Sequence, residues 1–273
     1  MQDLTFSSAR RRWFLLPALS VFAAFWLLPM AVLAQVSAAE RGASYLAMVQ
    51  SPRYAQSLMS TVALSLCVTL VTVVLALVAG LFLVRHRFRG RELLVATLTL
   101  PLAFPGVVVG FMVIMLAGRQ GLIGDVTQLL FGHKSVFAYS MTGLFLGYLY
   151  FSIPRVILTV MAAAEKLDGS LEEAARSLGA TPWRIVRDVM LPALRPALIA
   201  SSSMCFATSM GAFGTAFTLA TDIDVLPMTI YSEFTLNANM TMAAALSMVL
   251  GLVTWAALAL SNALGGDAAA ASA

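Results

Sequence analysis

Apolar residues in this chain run on without interruption, instead of alternating or forming narrow stripes. Six runs stand out, at roughly 14–36, 57–84, 93–117, 136–163, 197–220 and 240–263. A helix needs about 20 mostly apolar residues to cross a hydrocarbon layer about 30 Å thick, at about 1.5 Å per residue. The period-two alternation of a membrane β-barrel is absent. The pattern predicts an all-α membrane protein with about six transmembrane helices, forming a single domain over 1–264. Most connections are short, and 164–196 is the exception. The tail 265–273 opens with Gly265-Gly266-Asp267, continues in alanine, and is expected to be disordered.

The first run follows Arg10-Arg11-Arg12 and ends in Ala31-Val32-Leu33-Ala34, the form of a signal peptide with a small-residue exit. Its apolar stretch is about 20 residues, longer than the usual core of about 7–15. It is read as a retained span.

Composition agrees with this class. Of 273 residues, 60% are hydrophobic and only 11% charged, against about 25% charged in soluble domains. That excludes disorder and argues against a soluble enzyme. The net charge of +4 reflects topology more than nucleic-acid binding. With the N-terminus inside, the inner segments carry Arg10, Arg11, Arg12, Arg85, Arg87, Arg89, Arg91, Lys166, Arg176, Arg184, Arg187 and Arg195. The outer ones carry Arg41, Arg53, Arg119 and Lys134. Basic residues favour the cytoplasmic side, so both termini are expected there. Cys67 and Cys205 lie in apolar runs and read as small buried hydrophobes without a disulfide or metal role.

The loop 164–196 reads as ordered. Ser170-Leu171-Glu172-Glu173 has the form of a capping box. A helix to Leu178 would follow, with Gly179 in a left-handed position. Thr181-Pro182 restarts a second helix as N-cap and first residue, and Leu191-Pro192 is expected to stop it. Leu171, Ala174, Ala175 and Leu178 share one face of the first helix, and Trp183, Ile185, Val186 and Val189 mark the second. On these grounds the loop is either a docking element or an amphipathic pair lying on the headgroups.

The spacing also matches a family signature. Glu173-Ala174-Ala175, three residues, Gly179, nine residues, Val189, one residue, Leu191-Pro192 resembles the cytoplasmic motif of permease subunits of bacterial type I ABC importers, with Val189 in place of isoleucine. The resemblance extends over the six-span core. It implies a bacterial inner-membrane protein whose loop forms coupling helices in a cleft of a cytoplasmic ATPase dimer, with Glu173, Ala174, Ala175, Gly179, Leu191 and Pro192 at or near that contact. It also implies a second permease subunit, either a sister chain or another copy, and an extracytoplasmic solute-binding protein. This chain has no Walker motif. It is read as a non-catalytic subunit without its own cofactor, ATP and Mg being bound by the ATPase.

Candidate path residues follow from polarity inside spans. The third span holds Pro101, Pro105, Gly106 and Gly110, and Pro105-Gly106 is expected to kink it. The fifth carries Ser203, Ala207, Gly211 and Thr215 at intervals of four, with Ser209 nearby. Such a stripe either packs helices tightly or lines a path, and the resemblance favours the path. Arg155 follows Pro154 within the fourth span, about 12 Å inside the membrane boundary. It either snorkels or pairs, or it faces a cavity and meets an anion. Tyr148 and Tyr150 either join that cavity or belong to an aromatic belt. The last outer loop carries Asp222, Asp224 and Glu233, read either as solvated or as a contact for the binding protein.

The branch resembled imports polyamines, ferric iron, phosphonates and oxyanions. Leu226-Pro227-Met228-Thr229-Ile230-Tyr231-Ser232 is similar to a polyamine-permease stretch, but Gly211-Ala212 stands where those permeases often carry acids. Gly211-Ala212-Phe213-Gly214-Thr215 is nearer the run of oxyanion permeases, without its Glu. With Arg155, the chemistry leans to an anionic or zwitterionic solute. The rivals are an ion-coupled secondary transporter, which would need intramembrane carboxylates, and a membrane enzyme. His86 and His133 lie in loops on opposite sides and cannot form a catalytic set.

Overall fold

The computed structural model describes residues 16–39, 42–219 and 223–270. Arg10–Arg12, Arg41 and Asp222 lie outside them. No strand occurs among the described residues. The helices are α1 (Leu16–Ser37), α2 (Ala43–Gln50), α3 (Pro52–Arg85), α4 (Arg91–Thr99), α5 (Gly106–Ala117), α6 (Leu122–Phe131), α7 (Met141–Ala164), α8 (Gly169–Ser177), α9 (Pro182–Met210), α10 (Phe213–Leu219), α11 (Leu226–Thr235) and α12 (Met240–Ala270). Among the described residues, six helical stretches are long and apolar enough to cross a membrane: Leu16–Ser37, Pro52–Arg85, Gly106–Phe131, Met141–Ala164, Pro182–Met210 and Met240–Ala263.

The described residues form two compact units. One takes the chain up to Pro52 with Ile230–Val249. Within it, Tyr45 donates a hydrogen bond to Ser37 Oγ at 2.8 Å, tying α2 to the end of α1. The other takes Arg53–Thr229 and the chain from Leu250 onward. Its core is built from Val68 and Ala76 of α3, Val113 and Ala117 of α5, Leu144, Val156 and Val160 of α7, Cys205 of α9, and Ala216 and Leu219 of α10. Cys205 is buried as expected, whereas Cys67 is exposed on the outward apolar face of α3.

Two expected spans are broken. The run 93–117 is α4, a 3-10 turn at Leu100–Ala103, an extended Phe104, and then α5. Pro101 and Pro105 remove two amides, and a residue before proline is driven out of the helical region. Phe104 accordingly sits at φ −91°, ψ 132°. The run 197–220 ends as α9 at Met210 and restarts as α10 at Phe213. The small-residue stripe from Ser203 to Thr215 therefore does not follow one helical face.

Leu191-Pro192 does not stop the second loop helix. Pro182–Met210 is continuous, with a π-turn at Val186–Met190. The amide of Leu191 bonds to the carbonyl of Val186, five residues back. That wider turn lets the ladder slip by one residue just where Pro192 has no donor to offer. At the other end, α12 runs on to Ala270, through most of the stretch expected to be a disordered tail. Alanine is the strongest helix former.

Candidate functional site: a pinned helix pair and an arginine-lined cavity

The loop after α7 begins with a cap, but not the predicted one. Asp168 is the N-cap of α8, and the amide of Ser170 donates to its Oδ1 at 2.9 Å. Ser170 therefore lies inside the first turn and makes no capping box. These Ser170 hydrogen bonds, led by the backbone amide, hold the Asp168 carboxyl below its usual range. The end of α8 is a Schellman motif, as the sequence predicts. Gly179 has φ +78°, its amide bonds to Arg176, and that of Ala180 bonds to Ala175. Thr181 caps α9, accepting from the Arg184 amide at 3.4 Å.

Two contacts fix this pair to the spans, and a third braces the span ends beside it. Glu172 and Arg85, at the end of α3, form a two-pronged ion pair. Arg91 donates from Nε to the carbonyl of Leu83 at 2.6 Å, with Glu165 3.8 Å from its guanidinium. Ile185, Met190 and Leu194 bury against Leu81 and Ala164, with Ala175 alongside. The helix faces therefore sort differently from the sequence reading. Ala175 and Ile185 turn toward the spans. Leu171, Leu178 and Trp183 stay outward at 57, 89 and 67% exposure. Glu173 and Ala174 are also exposed. Leu191 and Pro192 line a groove against Thr69, Leu70 and Val73 of α3.

The second feature lies where the broken spans meet. A cavity of about 320 Å³ is lined by Pro101, Phe104, Gly106, Phe151, Arg155, Thr208, Ala212 and Thr215, among others. Arg155 is only partly exposed, and its guanidinium has no ion pair or side-chain hydrogen bond among the described residues. Tyr148 does not line this cavity. It is buried, and its hydroxyl donates to the carbonyl of Ala212 at 2.6 Å, holding the break between α9 and α10. Thr215 clamps the other break by donating to the carbonyl of Gly106 at 2.9 Å. Gly147 of α7 completes the crossing, since a Cβ there would fall 2.7 Å from Thr215 Cγ2. Gly211 is exposed at the break itself, and Ser209 is fully buried with a hydroxyl that finds no partner among the described residues. Tyr150 is at the edge of exposure on α7.

The segment read from sequence as the last outer loop is not a plain loop. It contains α11, whose first amide, Leu226, donates to Thr61 Oγ1 of α3 at 2.7 Å. The Ser57 and Thr229 hydroxyls share a second bond at 2.7 Å. Glu233 is 3% exposed within α11, so it fits neither of its two readings, the solvated acid or the surface contact for a binding protein. Asp224 is exposed. The sequence signals for these ties were hydroxyl residues placed in otherwise apolar spans.

Residues 72–265 match the family described as binding-protein-dependent transport system inner membrane component. The chain belongs to this family. It is a permease subunit of an ABC importer and a multi-pass inner-membrane protein. The molybdenum transport system permease protein ModB of Escherichia coli K12 is 39% identical over 166 residues, covering 59% of this chain and 72% of that protein. The putative 2-aminoethylphosphonate transport system permease protein PhnU of Salmonella typhi is 31% identical over 248 residues, covering 87 and 85%. The probable sulfate transport system permease protein cysT of Chlorella vulgaris is 36% identical over 163 residues, covering 60% of each. Among solved structures, a bacterial ABC transporter that imports alginate superposes at TM-score 0.82 with 18% identity, over 94% of this permease and 96% of that chain. The MetNI methionine transporter does so at 0.61, over 79 and 96%.

Proposed function

We propose that this permease couples a cytoplasmic ATPase dimer to the import of a small oxyanion or phosphonate. The observation that carries the coupling is the outward apolar surface of Leu171, Leu178 and Trp183. These side chains are exposed on a helix pair that is itself pinned to the spans. An apolar patch held rigidly on the polar side of a membrane protein has the character of a docking surface. Glu173 stands beside it, and Gly179 sets the bend between the two helices. ATP and Mg belong to the partner. A second permease, another copy or a sister chain, completes the path, and a solute-binding protein delivers the solute from outside. N- and C-termini face the cytoplasm, which puts the helix pair on the ATPase side. Arg155 belongs to the path and Gly211 stands at its break, with Tyr148 as the clamp of that break and Ser209 buried behind it. The solute class rests on Arg155, without an ion pair among the described residues, and on relatives named for molybdenum, sulfate and 2-aminoethylphosphonate.

The test is co-purification with the ATPase. Leu178→Ser and Trp183→Ala are expected to lower ATPase recovery at least tenfold at unchanged membrane insertion. Gly179→Ala is expected to weaken it less, because a left-handed alanine costs about 1 kcal/mol. Wild-type recovery with both Leu178→Ser and Trp183→Ala would refute the docking surface. Uptake that needs no ATP and collapses with ionophores would instead favour an ion-coupled secondary transporter.

A further inference from the structure

The cavity at the paired helix breaks holds a charge that no ion pair neutralises among the described residues. Arg155 sits in the middle of α7, and an intramembrane arginine ordinarily pairs with an acid, bonds to carbonyls or reaches water. Among the described residues its guanidinium does none of the first two, and it lines the cavity together with Thr208 and the backbone at Gly106 and Gly214. The surrounding hydroxyls are already spent as donors. Thr208 donates back to Met204 and Cys205, and Thr215 to Gly106. The guanidinium is therefore the strongest free donor at this point, a planar fork suited to two oxygens of one anion. Behind it, α5 begins at Gly106 after two prolines, so its first amides have no partner within the helix. The remaining lining, Phe104, Phe151, Leu102 and Val107, is apolar and keeps the field of the charge from being dispersed.

We infer that the Arg155 cavity is an anion station within the permease, which holds a tetrahedral oxyanion or a phosphonate head by two of its oxygens in transit and excludes cations. This rests on the importer reading above. It adds a selectivity element in the membrane subunit, acting after delivery by the binding protein. A station needs release as well as capture, and the broken helices supply it. Any shift of α9 or α10 relative to α5 changes the cavity, because Ala212, Thr215 and Gly106 line it from both breaks.

The experiment uses the complete importer, with both permeases, the ATPase and the binding protein, in proteoliposomes. Wild-type uptake is measured for molybdate, sulfate and 2-aminoethylphosphonate, and for spermidine as the cationic control. ATP hydrolysis is recorded in parallel. For the transported anion, Arg155→Gln is expected to lower solute moved per ATP at least tenfold with an unchanged KM, since the binding protein sets KM. Arg155→Lys is expected to retain a third or more. Thr208→Asp leaves Arg155 in place but adds a negative charge to the lining of the same cavity, and should match Arg155→Gln. If Arg155→Gln fails to assemble, Thr208→Asp carries the test alone. Wild-type uptake per ATP in Thr208→Asp, or in an assembled Arg155→Gln, overturns the station while leaving the importer reading intact. Spermidine uptake by wild type, with none of the three anions moved, overturns the station together with the anionic solute class, and leaves ATP-driven import standing.

Discussion

Replacing Gly147 by alanine puts a methyl into a space with a single tight neighbour. The new Cβ would meet Thr215 Cγ2 at 2.7 Å, and the next contacts, Val113 Cγ2 at 3.6 Å and Leu219 Cδ1 at 3.9 Å, are ordinary. Thr215 cannot turn away cheaply. It is 1% exposed, β-branched, and held by its bond to Gly106. Overpacking of this kind costs about 1–3 kcal/mol. Thr215→Ser removes only the offending methyl and keeps the hydroxyl, for a loss of about 1 kcal/mol. If the two changes acted independently, the double variant would lose about 2–4 kcal/mol. The geometry instead has the alanine methyl fill the room that Cγ2 leaves. Gly147→Ala/Thr215→Ser is therefore expected to lie within about 1 kcal/mol of wild type, a coupling of about 1–3 kcal/mol. Unfolding in mixed detergent micelles, followed by circular dichroism, measures all four corners of the cycle. Additive losses would refute the packing argument. So would a Gly147→Ala variant as stable as wild type.

Two further outcomes follow from the loop. Arg85→Gln breaks the pair with Glu172, which is partly screened at the surface, so the cost is about 1 kcal/mol. It should appear as faster amide exchange over 169–178 with the spans unchanged; equal exchange would show that the tether is idle. Asp168 has its carboxyl lowered by the amide it caps, so its contribution is full above the ordinary value of 3.8 and is lost as pH falls through the lower folded value. Exchange at 170–172, corrected for intrinsic rates, should rise below pH 3.8 in wild type. It should not in Asp168→Asn, which caps without titrating; parallel profiles would refute the role.

The membrane class and the loop motif were legible because they depend on local composition and short spacing. The turn at Gly179 and the cap at Thr181 could be read because each is a contact within a few residues. The missing features are those set by partners far along the chain. Glu172 looked like a filler position of a capping box between Ser170 and Glu173, and nothing near it in sequence points to Arg85. The fifth span looked continuous because Gly211-Ala212 is tolerated in a helix. Its break is maintained by Tyr148, sixty-four residues away. Leu191-Pro192 looked like a stop because a π-turn leaves no mark in composition. Glu233 looked solvated because its burial comes from packing that hydropathy does not report.

The continuous helix Pro182–Met210 is 29 residues long, about 43 Å, and joins the outward Trp183 to the edge of the Arg155 cavity. A rod of that kind transmits rotation as well as displacement. Each residue advances the helix by about 100°, so inserting or deleting one residue between Met190 and Ser203 would leave its length nearly unchanged but turn Thr208 and Ser209 by more than a quarter of a revolution. The gearing between the two ends is thus stored in phase, and the π-turn before Leu191, itself one residue out of step, helps to set it.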